Sequence, residues 1–287
     1  MGIIPNHFKV FSEENENSLS LRPEMGNRKV IYTCLTGGYD RLEQPAAVAA
    51  DWDYVCFTDT DGQDGVWQLR KIPFDSPDPV VRSRYPKIRP HRALPEYKYS
   101  VYLDANLRIV DTEFYRIADR LIADEIPFAQ VQHPDRDCVY EELRYCYLKG
   151  KIDTRTAFRL HRKWTDEGLP RHAGLYENNL IFREHNLDEV QALDEGWWKA
   201  FSAGVPRDQL CLEPIFLRHN IHPALLLGKG LNARNVPYIQ YTLPPPTGKL
   251  RSPVKPGMTS VLKRLTWGNL VYHVRLGWRK VMLELLK

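Results

Sequence analysis

The stretch LPEYKYSVYLDAN, residues 94–106, decides the fold. Lys98 to Leu103 is short, mostly apolar and aromatic, set off by Pro95 before it and by Asp104, Ala105 and Asn106 after it. That pattern reads as a buried strand stopped by a polar turn. A carboxylate one residue past such a strand projects at the sheet edge. There it can bind a divalent cation that neutralises a diphosphate, or it can cap a turn.

The flanking segments repeat this grammar. Val30 to Leu35 reads as a buried strand entering the tight loop Thr36-Gly37-Gly38, and Asp53 to Thr58 as a second strand ending at Asp59. Ile72 to Pro95 reads as a proline-rich basic loop. Helical spacing covers Thr112 to Ile126, most of Glu141 to Gly168, and Leu187 to Phe201; Phe128 to Gln132 and Leu180 to Phe182 read as strands. Strands alternating with helices predict an α/β sheet flanked by helices, with ligands bound past the carboxyl ends of the strands. The expected division is a loose arm over 1–28, a catalytic domain over 29–246 and a basic segment over 247–287.

Composition narrows the class. The chain has 287 residues, 43% hydrophobic and 26% charged, with 21 Pro and 17 Gly dispersed along it. These are globular values and exclude collagen-like and disordered readings. Five cysteines without a CxxC pair read as reduced, buried thiols of a cytoplasmic protein. The N-terminus lacks the apolar core of a signal peptide. No apolar run reaches the roughly 18 residues of a spanning helix, so membrane contact is expected to be peripheral. The net charge of +4 is unevenly placed: residues 249–287 hold nine Lys and Arg against Glu284 alone. Basicity confined to one end argues against nucleic acid as a partner.

Several segments carry candidate chemistry. In Thr36-Gly37-Gly38-Tyr39-Asp40, the glycines let backbone approach a ligand, Tyr39 offers a stacking face and Asp40 an acceptor for a base or ribose. Neither GxGxxG nor GxxxxGK[ST] occurs. Arg82, Arg84, Lys87, Arg89, His91 and Arg92 form a cationic cluster suited to phosphate. Asp208 and Gln209 follow a predicted helix, with Asp208 also able to cap the next one; Glu177 and Asn178 precede a predicted strand. His133, Arg136, Tyr140 and Glu141 read as shaping an acceptor side, and Trp197-Trp198 reads as core, with stacking on a sugar as the other reading.

Taken in order, TCLTGGYD, DYVCFTD, SRYPKIRPH, YLDAN, HPDRDCVYEE, GLYENNLIFREHN and RDQL resemble a nucleotide-sugar glycosyltransferase of the GT-A class over roughly residues 29–220. The resemblance is closest to bacterial relatives of the plant family that includes the rhamnogalacturonan I galacturonosyltransferase. Glycogenin-like retaining enzymes are more distantly similar, with Lys87, Pro95 and Asp104 near their R-x7-P-x7-D spacing. The resemblance implies a GT-A mixed sheet flanked by helices, transfer with retention, and a UDP-sugar donor with Mn2+ or Mg2+. It implies nucleoside contacts from Thr36, Gly37, Tyr39, Asp40 and Asp59, contacts to the diphosphate or donor sugar from Arg84 and Lys87, and a donor-binding place for His91. Asp104 and Asn106 would hold the metal, and Asp208, Gln209, Glu177 and Asn178 would act near the reacting centre. Asn106 departs from the DxD pattern, because an amide oxygen is a neutral and weaker ligand than a carboxylate.

Ser260 to Lys287 places Leu262, Leu265, Leu270, Val274, Trp278, Val281, Met282 and Leu285 among Lys and Arg. An amphipathic basic stretch of this kind suits an anionic membrane surface, here the inner face of the cell membrane. The expected acceptor is a glycan or lipid-linked glycan in surface polysaccharide synthesis. Two other classes stay open at this level: a sugar nucleotidyltransferase and a non-catalytic, membrane-associated glycan-binding protein.

Overall fold

The computed structural model describes residues 28–36, 42–205, 207–242 and 281–282. Gly37, Tyr39 and Asp40, the arm before Arg28, and residues 243–287 apart from Val281 and Met282 lie outside the described residues. So, therefore, does nearly all of the expected amphipathic segment. Val281 and Met282 are helical; Val281 is exposed and Met282 packs against the helical side of the core.

In chain order the elements are β1 (Lys29–Cys34), β2 (Trp52–Thr58), β3 (Gly62–Asp64), β4 (Trp67–Lys71), α1 (Pro79–Ile88), α2 (Pro90–Ala93), β5 (Tyr99–Leu103) and β6 (Leu107–Ile109). They continue as α3 (Glu113–Ala123), β7 (Phe128–Gln132), α4 (Val139–Leu148), α5 (Thr154–Asp166), β8 (Tyr176–Glu184), α6 (Asp188–Ser202), α7 (Gln209–His219), β9 (Ala224–Leu225) and β10 (Ile239–Tyr241). Eight strands make one mixed sheet in the order β3-β4-β2-β1-β5-β8-β7-β9, and β10 pairs with β6 in a separate ribbon. Strands β4, β2, β1 and β5 run parallel, and β8 is antiparallel to both β5 and β7. From β1 the chain builds outward to β2 and β4, then returns to place β5 on the other side of β1. That reversal opens a crevice beyond the carboxyl ends of β1 and β5.

Both faces of the sheet are covered, which is why its central strands are continuous apolar runs. Val30, Tyr32, Phe57, Tyr102 and Ile181 pack under α1, α4, α5, α6 and α7. Their alternate neighbours Ile31, Cys56, Val101, Leu103 and Phe182 pack against α3 and the β6–β10 ribbon.

Three segments differ from the sequence reading. The stretch 72–95, expected as a loop, contains α1 and α2. Pro79 sits at the first helical position, where no N–H is needed, and the Asp78 carboxylate accepts the Val80 N–H at 2.8 Å. Pro86 lies in the last turn, so the break it imposes is close to where the helix ends anyway. The long helical stretch 141–168 is two helices, parted near Gly150, whose φ of 70° suits glycine. Strand β8 starts at Tyr176, so Glu177, Asn178 and Asn179 lie within a strand and not before one. The β7–β8 register slips between Gln130 and Val131, leaving Asn178 to Leu180 without opposite residues on β7. Such a bulge re-aims side chains at a sheet's edge.

Under the sheet, Arg183 of β8 and Asp194 of α6 form a fully buried ion pair, Nε to Oδ1 3.2 Å, with Arg183 Nη1 donating to the Tyr32 hydroxyl at 3.2 Å. Removing one partner of such a pair strands the other charge in a dry interior. Asp194→Ala should therefore cost about 3–5 kcal/mol of stability, read as a lowered urea midpoint. An unchanged midpoint would mean that the pair does not bind α6 to the sheet.

Candidate active site

The crevice at the β1–β5 reversal is a cleft of about 940 Å³. Its floor is Cys34, Leu35 and Thr36 after β1 and Asp104, Ala105 and Asn106 after β5. Helix α1 forms one wall through Val80, Ser83, Arg84 and Lys87, residues spaced so that they share one helix face. Glu177, Asn178 and Asn179 from the β8 bulge stand opposite, with Arg207, Asp208 and Gln209 at the start of α7. His133, Arg136, Glu142, Arg234 and Tyr241 complete the rim.

At the centre lies a charge network. The Lys87 ammonium, 3% exposed, is 3.2 Å from Asp104 Oδ1 and 3.0 Å from Asp208 Oδ2. It also sits 4.8 Å from the Tyr102 ring centroid. Arg84 Nε adds a second cation 3.3 Å from Asp208 Oδ2. Burial alone would drive the Asp208 carboxyl up; Lys87, Arg84 and Arg207 together outweigh it and hold the group well below the usual carboxylate range. Burial drives the Tyr102 hydroxyl far up, so it stays protonated and donates to Asp104 Oδ1 at 2.8 Å.

Asp208 both caps a helix and lines the cleft: its carboxylate accepts the Gln209 N–H at 3.1 Å at the start of α7. The Trp197 indole donates to its carbonyl at 3.0 Å, which gives that buried residue a structural task. Gln209 spends its amide nitrogen on the Tyr176 carbonyl at 2.7 Å, leaving its oxygen for the cleft.

The opposite wall is amide-rich. Asn178 Oδ1 accepts from Gln130 at 2.8 Å, and Asn179 Nδ2 donates to the Tyr241 hydroxyl at 2.7 Å. Asn178 Nδ2, Asn179 Oδ1 and Asn106 Oδ1 are buried without a hydrogen-bond partner. Buried polar atoms are normally satisfied, so unspent donors and acceptors here suit the hydroxyls of a ligand. Glu177 is held by Arg234, whose Nη1 is 2.9 Å from each carboxylate oxygen. Burial raises the Glu177 carboxyl above its ordinary value, and Arg234 only partly offsets it.

Other sequence candidates stand elsewhere. Asp59 pairs with Arg82 and does not line the cleft. His91 points under α1 towards α6, with Nε2 2.8 Å from Glu195 Oε1 and Nδ1 3.9 Å from Asp194 Oδ2, in company with Arg89 and Arg92. Half of the basic cluster therefore ties α1 and α2 to α6, and Arg84 and Lys87 are its members that line the cleft. Tyr140 is core, its hydroxyl donating to the Leu169 carbonyl at 3.1 Å; Glu142, one residue past the acid expected, faces the cleft beside Arg136. Arg207 stood in RDQL without a role of its own; Arg234, in the segment before β10, and Tyr241, at its end, carried no motif.

The donor set expected for Mn2+ or Mg2+ is thin. Asp104 Oδ1 already serves Tyr102 and Lys87, and Asn106 brings a neutral oxygen. Among the described residues, three His, Cys or acidic side chains converge only at Asp137, Glu141 and His172, outside this set. One carboxylate beside a fixed ammonium does not fit a hard divalent cation, which prefers several anionic oxygens.

Residues 56–225 match a family profile described as TOD1/MUCI70, glycosyltransferase-like domain. The match takes in Arg84, Lys87, Asp104, Asn106, Glu177 and Asp208 and stops before Arg234 and Tyr241. Alkaline ceramidase TOD1 of Arabidopsis thaliana is 22% identical over 228 residues, 68% of this chain and 49% of that protein, so the chain spans about half of the relative's length. The apo structure of the bifunctional glycosyltransferase WbbM is similar over 72% of this chain and 40% of its own, with a TM-score of 0.41 and 10% identity.

The rim also sets a pH dependence. Burial, aided by Arg136, lowers His133 from 6.5 to about 4, while its Nδ1 accepts the backbone N–H groups of Asp135 and Arg136 at 3.1 Å. The unfolded chain takes up this proton below about 6.5, the folded chain only near 4, so stability falls as pH drops through that window. The loss should reach about 3 kcal/mol at most. His133→Asn, which keeps an acceptor, should remove this part of the slope in urea unfolding at pH 4.5 and 7. An identical slope in the variant would place the proton uptake elsewhere.

Proposed function

The chain belongs to the TOD1/MUCI70 glycosyltransferase-like domain family, and from that premise we propose that it transfers a glycosyl group from a nucleotide-linked sugar, a UDP-sugar first among them, to a hydroxyl of a glycan or lipid-linked glycan. The observation that carries this reading is the juxtaposition in one cleft of Arg84 and Lys87 on a single helix face with the unspent amides of Asn106, Asn178 and Asn179. Fixed cations suit a diphosphate, and neutral donors and acceptors suit sugar hydroxyls.

In the transfer, the bond from the anomeric carbon to the diphosphate oxygen breaks and its electron pair leaves with the diphosphate. The acceptor oxygen forms the new bond to that carbon and gives up its proton. Asp208, kept ionised by its cations, is a poor base but a good source of negative charge, and Gln209 adds an amide dipole. Together they favour stabilising an oxocarbenium-like centre, with the departing diphosphate taking the acceptor proton and the product retaining configuration. Glu177 supports a second reading: its raised pKa suits a general base, which would accept the proton in an inverting displacement.

The name of the plant relative, alkaline ceramidase, describes amide hydrolysis. A wall of cations, carboxylates and amides suits a phosphorylated, hydroxylated ligand better than a lipid amide. Among the described residues no helix is long and apolar enough to cross a membrane. Contact with an anionic membrane at its cytoplasmic face, through residues 260–287, belongs to this proposal on the strength of the charge of that segment.

Incubation with a panel of nucleotide sugars should release a nucleoside diphosphate from one of them. Asp208→Asn should lower that turnover by about 100-fold or more while leaving the circular dichroism spectrum intact. Proton NMR of the glycoside should show the donor's anomeric configuration. The opposite anomer, together with a comparable loss in Glu177→Gln, would select the inverting reading. Absence of turnover across the panel would count against transfer itself.

A further inference from the structure

Lys87 occupies the approach to Asp104 Oδ1 from the side of Asp208. Its ammonium lies 3.2 Å from Asp104 Oδ1, the same oxygen that accepts the Tyr102 hydroxyl at 2.8 Å. It lies 3.0 Å from Asp208 Oδ2, which links the two carboxylates through one cation. Arg84 stands one helical turn earlier against the same Asp208 oxygen. A metal ion placed on Asp104 Oδ1 would sit against a buried ammonium, and their repulsion would be poorly screened. The neutral amide of Asn106 would do little to offset it.

We infer that Lys87, with Arg84, is this site's resident counter-charge for the diphosphate, so that nucleotide binding and release of the leaving group run without a divalent cation. The inference rests on the glycosyl-transfer reading and deepens it. The network has the form such a role requires. An ammonium already paired with two carboxylates is held in place before the ligand arrives, so little reorganisation accompanies binding. The carboxylates keep the buried cations from repelling each other in the free protein, and they still leave the cleft wall of α1 cationic through the side chains of Arg84 and Lys87 on one face. Asn106 also gains a use: a buried neutral oxygen without a partner fits a ribose or sugar hydroxyl, which an acceptor can bind without a metal.

The test is calorimetric titration of the full chain with UDP, GDP and ADP, after EDTA treatment and verification of metal content by mass spectrometry. Parallel titrations contain EDTA, Mn2+ or Mg2+. We expect the best of the three nucleotides to bind with dissociation constants agreeing within about threefold across the three conditions. Lys87→Met should weaken that binding by about 30-fold in every condition, equivalent to about 2 kcal/mol, and Lys87→Arg should recover most of it. Wild-type binding that appears, or tightens more than about tenfold, only with Mn2+ or Mg2+ would overturn the inference and leave the nucleotide-sugar reading standing. Absence of binding by all three nucleotides in every condition would overturn both. The wild-type comparison decides the matter even if Lys87→Met fails to fold, and Lys87→Met binding as tightly as wild type would also overturn the assignment.

Discussion

The ammonium of Lys87 is bonded across three elements: it rides on α1, meets Asp104 at the end of β5 and meets Asp208 at the start of α7. Burying a lysine without partners is costly enough to neutralise it. Here each buried charge is tolerable only because of the others. Asp208 stays ionised because three cations surround it, and the Lys87 ammonium has a carboxylate oxygen within 3.2 Å on each of two sides. The position of α1 is therefore coupled to that of α7 through the floor of the cleft. Aromatic packing fixes the far side of the same helix: Phe74 stacks on Tyr85 at 4.7 Å, and Trp198 of α6 meets both rings edge-on. Arg89 lies over Trp198 and pairs with Glu195, so the end of α1 is held to α6 by charge as well as by packing.

Helix α7 is tied in from the other direction. Trp197 of α6 holds the Asp208 carbonyl, and Gln209 holds the Tyr176 carbonyl at the start of β8. One turn further on, Glu213 is buried against the Tyr176 backbone, and burial pushes its carboxyl up to about 8. The start of β8, where the bulge presents Glu177, Asn178 and Asn179, is thus anchored to the same short segment that carries Asp208. The two chemically distinct walls of the cleft, one ionic and one amide-rich, share a single mechanical support.

Much of this was legible in the chain itself. Continuous apolar runs at 30–35, 53–58 and 98–103 located β1, β2 and β5, because strands covered on both faces have no polar side to show, while the parallel β4, with Gln68, Arg70 and Lys71, gave no such run. Asp104 was legible for the same reason, as the first charge after such a run. The helical nature of 79–93 was hidden by its prolines, which are harmless at a first turn and near a helix end but read as breakers when position is unknown. With α1 unseen, His91 stood equal to Arg84 and Lys87; the helix separates them by putting 80, 83, 84 and 87 on one face and leaving His91 to α6. Arg234 and Tyr241 had no local signal. Each becomes part of the cleft only when β10 pairs with β6 and the Thr242 N–H bonds back to the Asn106 carbonyl at 2.8 Å, a contact between residues distant in sequence.

The two cleft carboxylates show how one fold separates roles between identical chemical groups. Asp208 and Glu177 are both buried, and burial pushes both pKa values upward. They part because of their partners. Asp208 lies within reach of Lys87, Arg84 and Arg207, enough positive charge to reverse the effect of burial. Glu177 has Arg234, which is half exposed and therefore partly spent on water, and the amide of Asn179. Groups whose environments drive their pKa values apart are suited to different tasks. The low one can only offer charge, and the raised one is the better suited to accept a proton. Since Arg234 comes from the turn before β10 and Lys87 from α1, the difference between the carboxylates is set by two segments far apart in the sequence that line the same cleft as Asp104 to Asn106.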